Sequence, residues 1–439
     1  MRELLPHQRT ADQWAATRDR FAVFLKMRLG KTLIAIKRAQ RDDGPKLVVC
    51  PLSTMFAWER ELGLEGIECV KLIGSTSKKH WTLTENYGRA NWFLINPEGL
   101  LRLPSVLNSW WRWIILDEST FIKNPRARIT KLLLKETKAK KRMILTGTPA
   151  PEGPEDFVTQ MLWLHGEFMG CESFWEWRPK NMVPCEYKWE VPLLKRKAVA
   201  EAVAENSFVM TPEEAGLYMP RVYETRTVQL PANLRRLYRQ VCREYRIGKT
   251  ETNWPLVAQV WLAQLTAGVV PDSFSQSRLL FSPYKIKEVQ YLLDTELKGE
   301  TVLVFGRFIR ELDLLANTLK APCLTGRTPY HHRTEILKNF MQGRTRVLVA
   351  QQSKVTEKGL DLSAASVIIF TSNVWSRETR EQCEARGDHP AKKEPTLLID
   401  LVAERTIDEA VVEALNQKGK RAHTLMREIM EISRERNLT

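Results

Sequence analysis

Residues 21–41 read FAVFLKMRLGKTLIAIKRAQR, which is an apolar run, a short loop and an amphipathic segment in immediate succession. Phe21–Leu25 predicts a buried strand and Thr32–Arg41 predicts a helix. The loop ends in Gly30-Lys31-Thr32, where backbone N–H groups at a helix N-terminus can face an anion. The lysine can reach terminal phosphates, and the threonine hydroxyl can bind Mg²⁺. The stretch therefore predicts a strand, a phosphate-binding loop and a helix, the beginning of a parallel α/β sheet.

The same alternation continues on both sides of a central region. In the first part, further strands are predicted at Leu47–Cys50, Trp92–Ile95, Trp113–Leu116 and Arg142–Leu145, with helices at Thr54–Leu62 and Glu155–Leu164. After residue 300, strands are predicted at Thr301–Phe305, Arg346–Ala350, Val367–Phe370 and Leu397–Leu401, with helices at Ile309–Leu319, Tyr330–Met341 and Thr406–Leu415. The predicted fold class is α/β, with two parallel-sheet domains in tandem.

The region between the two halves has a different composition. Prolines 179, 184, 192, 212, 220 and 231 interrupt aromatic and basic clusters, and a helical pattern follows over Asn233–Tyr245. We expect a first domain over 1–165, an irregular and helical linking subdomain over 166–285, and a second domain over 286–439. The tail after Asn416 predicts a solvated helix that packs on the second domain.

Charge narrows the choice of partner. Lys and Arg number 67 against 52 Asp and Glu, which gives a formal charge of +15. This surplus favours a polyanionic partner, with nucleic acid ahead of an anionic membrane surface. No apolar run is long enough to span a bilayer, and the seven cysteines show no C-x-x-C spacing. We expect a cytoplasmic monomer with reduced thiols, in a bacterium or an infected host.

An acidic pair, Asp117-Glu118, directly follows the predicted strand Trp113–Leu116. An aspartate at a strand end can hold the Mg²⁺ shell, and the adjacent glutamate can orient or deprotonate the attacking water. The alternative is a solvated acidic pair that ends a strand. The phosphate loop upstream favours nucleotide hydrolysis.

The motifs of the first half resemble those of superfamily-two helicase-like ATPases, specifically the Swi/Snf group of double-stranded DNA translocases. The matching segments are Leu5-Pro6-His7-Gln8, Met27 through Thr32, Val48 through Ser53 with Trp58, Asp117-Glu118-Ser119 with Ile122-Lys123-Asn124-Pro125, and Thr146-Gly147-Thr148-Pro149. They are similar to the Q, I, Ia, II and III motifs. The chain is most similar to the short bacterial and bacteriophage members of this group.

The second half agrees with this resemblance. Val302 through Phe305 resembles motif IV, Gly359-Leu360-Asp361-Leu362 resembles motif V, and Gln382 through Arg386 resembles motif VI. The resemblance implies two RecA-like domains, ATP as the nucleotide and Mg²⁺ as the metal.

The resemblance also implies roles for individual residues. Gln8 would read the adenine edge, while Gly30, Lys31 and Thr32 would hold the phosphates and Mg²⁺. Asp117 and Glu118 would carry out hydrolysis. Thr146 and Thr148 would couple the nucleotide site to DNA, and Gly359, Asp361 and Arg386 would close the site from the second domain.

Two positions depart from the group's pattern. Arg28 stands where the group usually has glycine in the phosphate loop. His389 stands where motif VI usually has a second arginine. Either Arg386 supplies the main positive charge, or Arg380, Lys392 or Lys393 substitutes, or hydrolysis is slow; we favour Arg386.

From residue 163 onward, aromatic and basic residues are interleaved through the linking region. They can bind nucleic acid or form the core of a subdomain. The rings are Trp163, Phe168, Phe174, Trp175, Trp177, Tyr187 and Trp189, and the cations include Arg178, Lys180, Lys188, Lys195, Arg196 and Lys197. Rings beside cations suit nucleic-acid binding. The rings can equally form the core of a subdomain, which we favour for the rings alone. We expect Arg178, Lys180 and Lys188 to contact DNA.

These patterns predict an ATP-dependent translocase on duplex or branched DNA, with little sequence preference and with salt-sensitive binding. Such a motor suits fork reversal, branch migration or protein displacement, in repair, recombination or replication, with a partner protein at such a structure. Two alternatives remain: a strand-separating helicase on DNA or RNA, and a nucleic-acid-binding scaffold with weak or no ATP turnover.

Overall fold

In a computed structural model of the chain, the described residues are 2–185, 188–217, 220–247, 250–269, 282–355, 362–389, 392 and 394–438. They divide into two units. Unit 1 takes those within Met1–Leu217 and Lys418–Thr439, and unit 2 takes those within Tyr218–Thr356 and Leu360–Gln417. Each unit contains one parallel sheet, so the prediction of two parallel-sheet α/β domains is confirmed. No helix in the described part of the chain is long and apolar enough to cross a membrane.

Unit 1 is built on a seven-stranded sheet in the order β3-β4-β2-β5-β6-β1-β9, with every neighbouring pair parallel. Its strands, with the separate hairpin β7 and β8, are β1 Arg20–Leu25, β2 Lys46–Val49, β3 Val70–Lys71, β4 Trp92–Ile95, β5 Trp113–Asp117, β6 Lys141–Thr146, β7 Val183–Cys185, β8 Lys188–Glu190 and β9 Ser207–Met210. Its helices are α1 Pro6–Ala15, α2 Lys31–Gln40, α3 Leu52–Leu64, α4 Thr76–Asn86, α5 Pro97–Arg102, α6 Arg128–Glu136, α7 Val158–His165, α8 Phe174–Asn181 and α9 Leu193–Ala204.

The central strands of unit 1 are buried on both faces because helices cover both sides of the sheet. Successive residues of β1 therefore alternate between two cores, with Phe21 and Val23 in one and Ala22 and Phe24 in the other. Full burial of each large apolar side chain contributes roughly 1.5–3 kcal/mol. These runs hold the sheet, and thereby the loops at its carboxyl edge, in place.

Unit 2 is built on a six-stranded parallel sheet in the order β10-β17-β16-β13-β15-β14. Its strands, with the hairpin β11 and β12, are β10 Arg221–Val228, β11 Arg246–Ile247, β12 Thr250–Glu251, β13 Val302–Gly306, β14 Cys323–Leu324, β15 Val347–Gln351, β16 Val367–Phe370 and β17 Thr396–Ala403. Its helices are α10 Ala232–Glu244, α11 Pro255–Thr266, α12 Tyr284–Asp294, α13 Ile309–Leu319, α14 Tyr330–Met341, α15 Gln352–Val355 and α16 Arg377–Glu384, and α17 Ile407–Leu438 begins here.

The region between the predicted domains supplies an edge strand to each sheet. β9 pairs in parallel with β1 in unit 1, and β10 pairs in parallel with β17 in unit 2. Strand β10 was not predicted from the sequence. As an edge strand it has an exposed face, and its polar residues interrupt the apolar run that marks a buried strand. The expected boundaries at 165/166 and 285/286 remain predictions.

Helix α17 differs from the expectation for the tail. The residues from 418 onward belong to unit 1, where Leu425 and Ile429 are buried in the core. Lys418 Nζ pairs with Glu152 Oε2 at 2.7 Å. Helical periodicity predicts an apolar stripe on such a helix, but it does not indicate which core will cover the stripe.

Candidate active site

Three neighbouring strands of unit 1, β5, β6 and β1, bring the main candidate residues to one edge of the sheet. Parallel strands share the direction of their carboxyl ends, so the loops that follow adjacent strands meet there. These loops contain Gly30-Lys31 after β1, Asp117-Glu118 at the end of β5, and Thr146-Gly147-Thr148 at the end of β6. Residues more than a hundred positions apart in the chain are therefore neighbours.

The phosphate-loop candidate has the predicted strand–loop–helix form. Gly30 has φ +76° and precedes Lys31, the first residue of α2. The buried Lys31 Nζ donates to the carbonyl oxygens of Leu25 at 2.7 Å and Lys26 at 3.3 Å. The ammonium group thus lies within the loop, at the N-terminal end of a helix, where an anion is favoured.

Gln8 lies directly against this loop. Its Nε2 donates to the carbonyl oxygen of Leu29 at 3.4 Å, and its Oε1 accepts from the backbone N–H of Leu5 at 3.0 Å. A Cβ placed on Gly30 would stand 2.1 Å from Gln8 Nε2, so any other residue there would have to displace the Gln8 side chain. His7 Nε2 also lies 3.1 Å from the carbonyl oxygen of Leu29. The sequence analysis gave His7 no role, although it belongs to the quoted motif.

The acidic pair is buried and held by neighbouring side chains. The indole N–H of Trp58, on α3, donates to Asp117 Oδ2 at 3.0 Å. Glu118 adopts the left-handed conformation at φ 55°, and its Oε2 accepts a hydrogen bond of 3.1 Å from the Thr146 hydroxyl. The sequence placed Trp58 in a motif but indicated no contact with Asp117, because the two residues are on different elements.

Thr146 and Gly147 link the acidic pair to the phosphate loop. The Thr146 hydroxyl, which donates to Glu118, also accepts the backbone N–H of Thr148 at 3.2 Å. A Cβ on Gly147 would lie 3.6 Å from Lys31 Nζ. The Lys31 ammonium group therefore lies beside Gly147, and the preceding residue, Thr146, is hydrogen-bonded to Glu118.

Gln160 on α7 ties the loops after β5 and β6 together. It accepts from the Ser119 hydroxyl at 2.6 Å and donates to the carbonyl oxygen of Pro149 at 2.8 Å. The side chain is fully buried, so both hydrogen bonds are protected from water. Gln160 was not predicted as a site residue, because no local sequence pattern marks it.

Arg28 adopts φ 68°, the left-handed conformation for which glycine is suited. A non-glycine residue pays roughly 1–2 kcal/mol in this region. The loop thus keeps a glycine-like backbone at this position without a glycine.

The donor set of the site fits Mg²⁺ and a nucleoside triphosphate. The Thr32 hydroxyl and the Asp117 carboxylate are the oxygen ligands that Mg²⁺ prefers. Lys31, the helix N-terminus and the cradle at Gly30 suit phosphate. The residues present can therefore hold both groups.

The candidate residues of unit 2 are less completely described. Arg386 is buried in the turn after α16, and His389 is half-buried nearby in sequence. Gly359 and Asp361 lie outside the described residues, as does Lys393.

Arg380 and Lys392, the suggested substitutes for the missing arginine, are engaged within unit 2. Arg380 forms a bidentate ion pair with Asp400, at 2.6 and 2.9 Å, and its Nε donates to Glu384 at 2.7 Å. Lys392 Nζ donates to the carbonyl oxygen of Ala365 at 2.6 Å. Both side chains therefore stabilise the fold of unit 2.

The rings of the linking region are largely buried, but they belong to the core of unit 1 and do not form the core of a separate subdomain. Trp163 and Trp177 are fully buried and Phe168 nearly so, whereas Trp175 is half exposed. Tyr187 lies outside the described residues.

Among the cations of the same region, Lys180, Lys195 and Lys197 are exposed, and Arg178 is half-buried. The Arg178 guanidinium stacks 4.2 Å over the Trp189 ring, and the exposed Lys180 pairs with Glu176 at 2.7 Å. Lys188 begins strand β8. These contacts are weak enough at the surface to exchange for phosphate.

Comparison with known proteins relates this geometry to a family. The model of the SNF2-related domain matches residues 7–244, and that of the helicase conserved C-terminal domain matches residues 284–388. A human SWI/SNF-related matrix-associated actin-dependent regulator of chromatin, subfamily A member 1, is 22% identical over 88% of this chain and 40% of its own length. A DNA annealing helicase and endonuclease from Bos taurus is 23% identical over 95% of this chain and 40% of its own length.

Other matches are similar in extent. A subfamily A-like protein 1 of the same SWI/SNF-related group, from Xenopus tropicalis, is 25% identical over 95% of this chain and 44% of its own length. The chain thus spans about two-fifths of the curated relatives it matches. The Sulfolobus solfataricus SWI2/SNF2 ATPase core in complex with dsDNA matches with a TM-score of 0.47 and 19% identity, covering 98% of this chain and 97% of that one.

Proposed function

Because this chain belongs to the SNF2-related family of helicase-like ATPases, we propose that it is an ATP-driven motor that translocates along duplex DNA. The observation that carries the proposal is that Lys31 Nζ lies beside Gly147, while the preceding residue, Thr146, donates a hydrogen bond to Glu118. The loop of Thr146 and Gly147 thereby lies between the proposed phosphate-binding lysine and the acidic pair, so its conformation can depend on both. Fork remodelling or branch migration is the expected use of such a motor, with roles in repair, recombination or replication.

In this proposal the first unit binds the nucleotide. Gln8 recognises the adenine edge, since its amide can donate and accept at once. Gly30, Lys31 and the N-terminus of α2 bind the phosphates. Thr32 and Asp117 hold Mg²⁺, which neutralises phosphate charge when bound.

Hydrolysis then depends on a few side chains whose positions are fixed by neighbours. Trp58 orients the Asp117 carboxylate through its indole N–H. Glu118 orients the attacking water and accepts its proton. Thr146 donates to Glu118 and accepts from the N–H of Thr148, so a change at the acidic pair alters the loop that couples to DNA.

Arg386 is proposed as the cation that stabilises the phosphates during hydrolysis, with Gly359 and Asp361 as further nucleotide contacts. Support comes from Arg380 and Lys392, whose ion pairs and hydrogen bonds already commit them to the fold of unit 2. Arg178, Lys180 and Lys188 are proposed contacts to the DNA backbone, which binds cations with little regard to sequence.

The first experiment measures ATP hydrolysis with and without duplex DNA. We expect duplex DNA to stimulate the wild type, and Lys31→Ala to reduce hydrolysis to background. Lys298→Ala is a matched control, since Lys298 is exposed in unit 2 and outside the proposed site. Equal background rates for wild type and Lys31→Ala would refute the ATP-driven motor and would favour a nucleic-acid-binding scaffold without ATP turnover.

The second experiment distinguishes translocation from strand separation. Displacement of a third strand from a triplex reports movement along duplex DNA, and a forked duplex reports unwinding. We expect ATP-dependent triplex displacement without unwinding. Unwinding of the fork would instead identify a strand-separating helicase.

A further inference from the structure

Helix α10 of unit 2 carries a row of arginines on its outer face. Arg236, Arg239 and Arg243 are exposed, and their spacing of three and four residues places them on one side of the helix. The opposite side packs into the core through Leu234, Tyr238 and Val241, among others. We call Arg236, Arg239 and Arg243 the arginine stripe.

The stripe differs from the other cation on the same helix. Arg235 Nη1 and Nη2 donate to the carbonyl oxygens of Arg405 and Glu404, at 3.0 and 2.7 Å, and so anchor α10 to its own unit. Within the described part of the chain, the stripe arginines form no ion pair or side-chain hydrogen bond with another residue. Three aligned guanidinium groups without carboxylate partners are suited to a polyanion.

The acidic groups nearest in sequence do not neutralise the stripe. Glu244 Oε2 accepts from Arg246 at 2.7 Å and from Gln240 at 3.4 Å. Glu251 lies opposite Arg246 in the hairpin of β11 and β12. Helix α11, which packs against α10, contains no charged residue. The stripe therefore keeps its net positive charge.

Exposed rings lie beside the C-terminal end of the stripe. Tyr245 follows α10 at φ 49°, and its carbonyl oxygen accepts the backbone N–H of Thr252 at 2.9 Å. The Thr252 hydroxyl in turn accepts the backbone N–H of Trp254 at 3.1 Å. Trp254 is 73% exposed and Tyr245 is 46% exposed. These hydrogen bonds tie the accessible indole of Trp254 to the C-terminal end of α10, where the stripe ends.

We propose that the arginine stripe and Trp254 form a DNA-binding face of unit 2 that recognises a junction between duplex and single strand. The stripe extends about 10 Å along the helix, which matches about three successive phosphates of one strand. A tryptophan with a free face stacks on any unpaired base. Leu256, which is 75% exposed and two residues further on, is a candidate apolar wedge. This inference rests on the proposed DNA-dependent motor.

The test measures binding of a fluorescent blunt duplex, and of the same duplex with a single-stranded extension, over a series of salt concentrations. In the stripe variant, Arg236→Gln, Arg239→Gln and Arg243→Gln are combined. We expect weaker binding to both DNAs, and a slope of log K against log salt that is smaller by about 2 to 3, since each phosphate contact contributes about 0.9. The matched control combines Lys287→Gln, Lys298→Gln and Arg344→Gln, which removes the same charge from exposed positions of unit 2.

The contribution of the ring is measured separately. Trp254→Ala should lose about tenfold in affinity for the extended DNA, with the blunt duplex unchanged. Trp81→Ala is the control, because Trp81 is 63% exposed in unit 1. Since these side chains are exposed, all variants should keep the wild-type thermal midpoint.

The outcomes separate this inference from the proposed function. If wild type neither binds DNA nor shows DNA-stimulated hydrolysis, the motor itself is refuted. If wild type does both, but the stripe variant keeps the wild-type salt slope or Trp254→Ala keeps the preference for extended DNA, the inference alone is overturned. The exposed face of α10 and α11 would then be assigned to a protein partner.

Discussion

Gln8 and Gly30 are in such close contact that a Cβ at position 30 would stand 2.1 Å from the Gln8 amide nitrogen. The contact joins α1 to the loop before α2, two elements of unit 1 that the chain separates by strand β1. The proposed adenine reader and the proposed phosphate loop therefore hold each other in place.

Gly30→Ala should weaken nucleotide binding in addition to destabilising the fold. Alanine at φ +76° costs about 1 kcal/mol of unfolding free energy, and the clash additionally displaces Gln8. We expect at least about tenfold weaker ATP binding. Gly66→Ala is the matched control, since Gly66 has φ +72° and open space around it. Wild-type ATP affinity in Gly30→Ala would show that the Gln8 contact is dispensable.

Trp58→Phe should raise the Mg²⁺ concentration needed for half-maximal hydrolysis. The change keeps a buried ring and removes the indole N–H that holds Asp117 Oδ2. Loss of one hydrogen bond to a charged group, about 1.5–3 kcal/mol, corresponds to about tenfold or more. Trp92→Phe provides the control, because Trp92 is equally buried and donates to Gln40. Equal Mg²⁺ dependence in both variants would contradict the positioning role of Trp58.

Arg28 can be tested through the difference between two substitutions. Arg28→Gly and Arg28→Ala both remove the charge, but only glycine relieves the strain at φ 68°. We expect Arg28→Gly to be more stable than Arg28→Ala by about 1 kcal/mol in chemical denaturation. Equal stability would mean that the loop relaxes around position 28.

Arg386 and His389 should contribute unequally to hydrolysis. Arg386→Ala should abolish DNA-stimulated turnover, since an arginine at the phosphates contributes about 10³-fold or more. His389→Ala should have a mild effect, because Arg386 is the proposed main cation at the phosphates. Steady-state ATPase rates at saturating DNA measure both. The opposite ranking would reassign the main cation.

Asp156 should make stability depend on pH. Burial raises the pKa of its carboxyl from 3.8 to about 7, although Lys123 and the Glu152 N–H oppose the shift. The folded chain therefore binds more protons than the unfolded chain between about pH 4 and 7, and stability falls as pH rises through this window.

Asp156→Asn mimics the protonated carboxyl, so it should stabilise the protein above about pH 7, by up to roughly 4 kcal/mol, and have little effect near pH 4. Thermal midpoints across this range measure the effect. Glu172→Gln, at an exposed position, should change neither limit. A variant no more stable than wild type at high pH would show that burial does not raise the pKa of Asp156.

Part of the architecture follows from local patterns. The predicted strands at Trp92–Ile95 and Val367–Phe370 and the helices at Ile309–Leu319 and Tyr330–Met341 have the observed bounds. Each is specified by its own apolar periodicity. Edge strand β10 was not predicted, because its pairing with β17 and not its composition makes it a strand.

The sequence by itself determined two parallel α/β domains and the strand–loop–helix form around Gly30, Lys31 and Thr32, the proposed phosphate loop, because periodicity and loop chemistry act over a few residues. Tertiary structure alone decided that Trp58 holds Asp117, that Thr146 holds Glu118, and that Leu425 and Ile429 pack in unit 1. The physical reason is that these contacts depend on strand order and on which apolar surface a stripe covers. Both are set by packing between segments far apart in the chain, which no local pattern encodes.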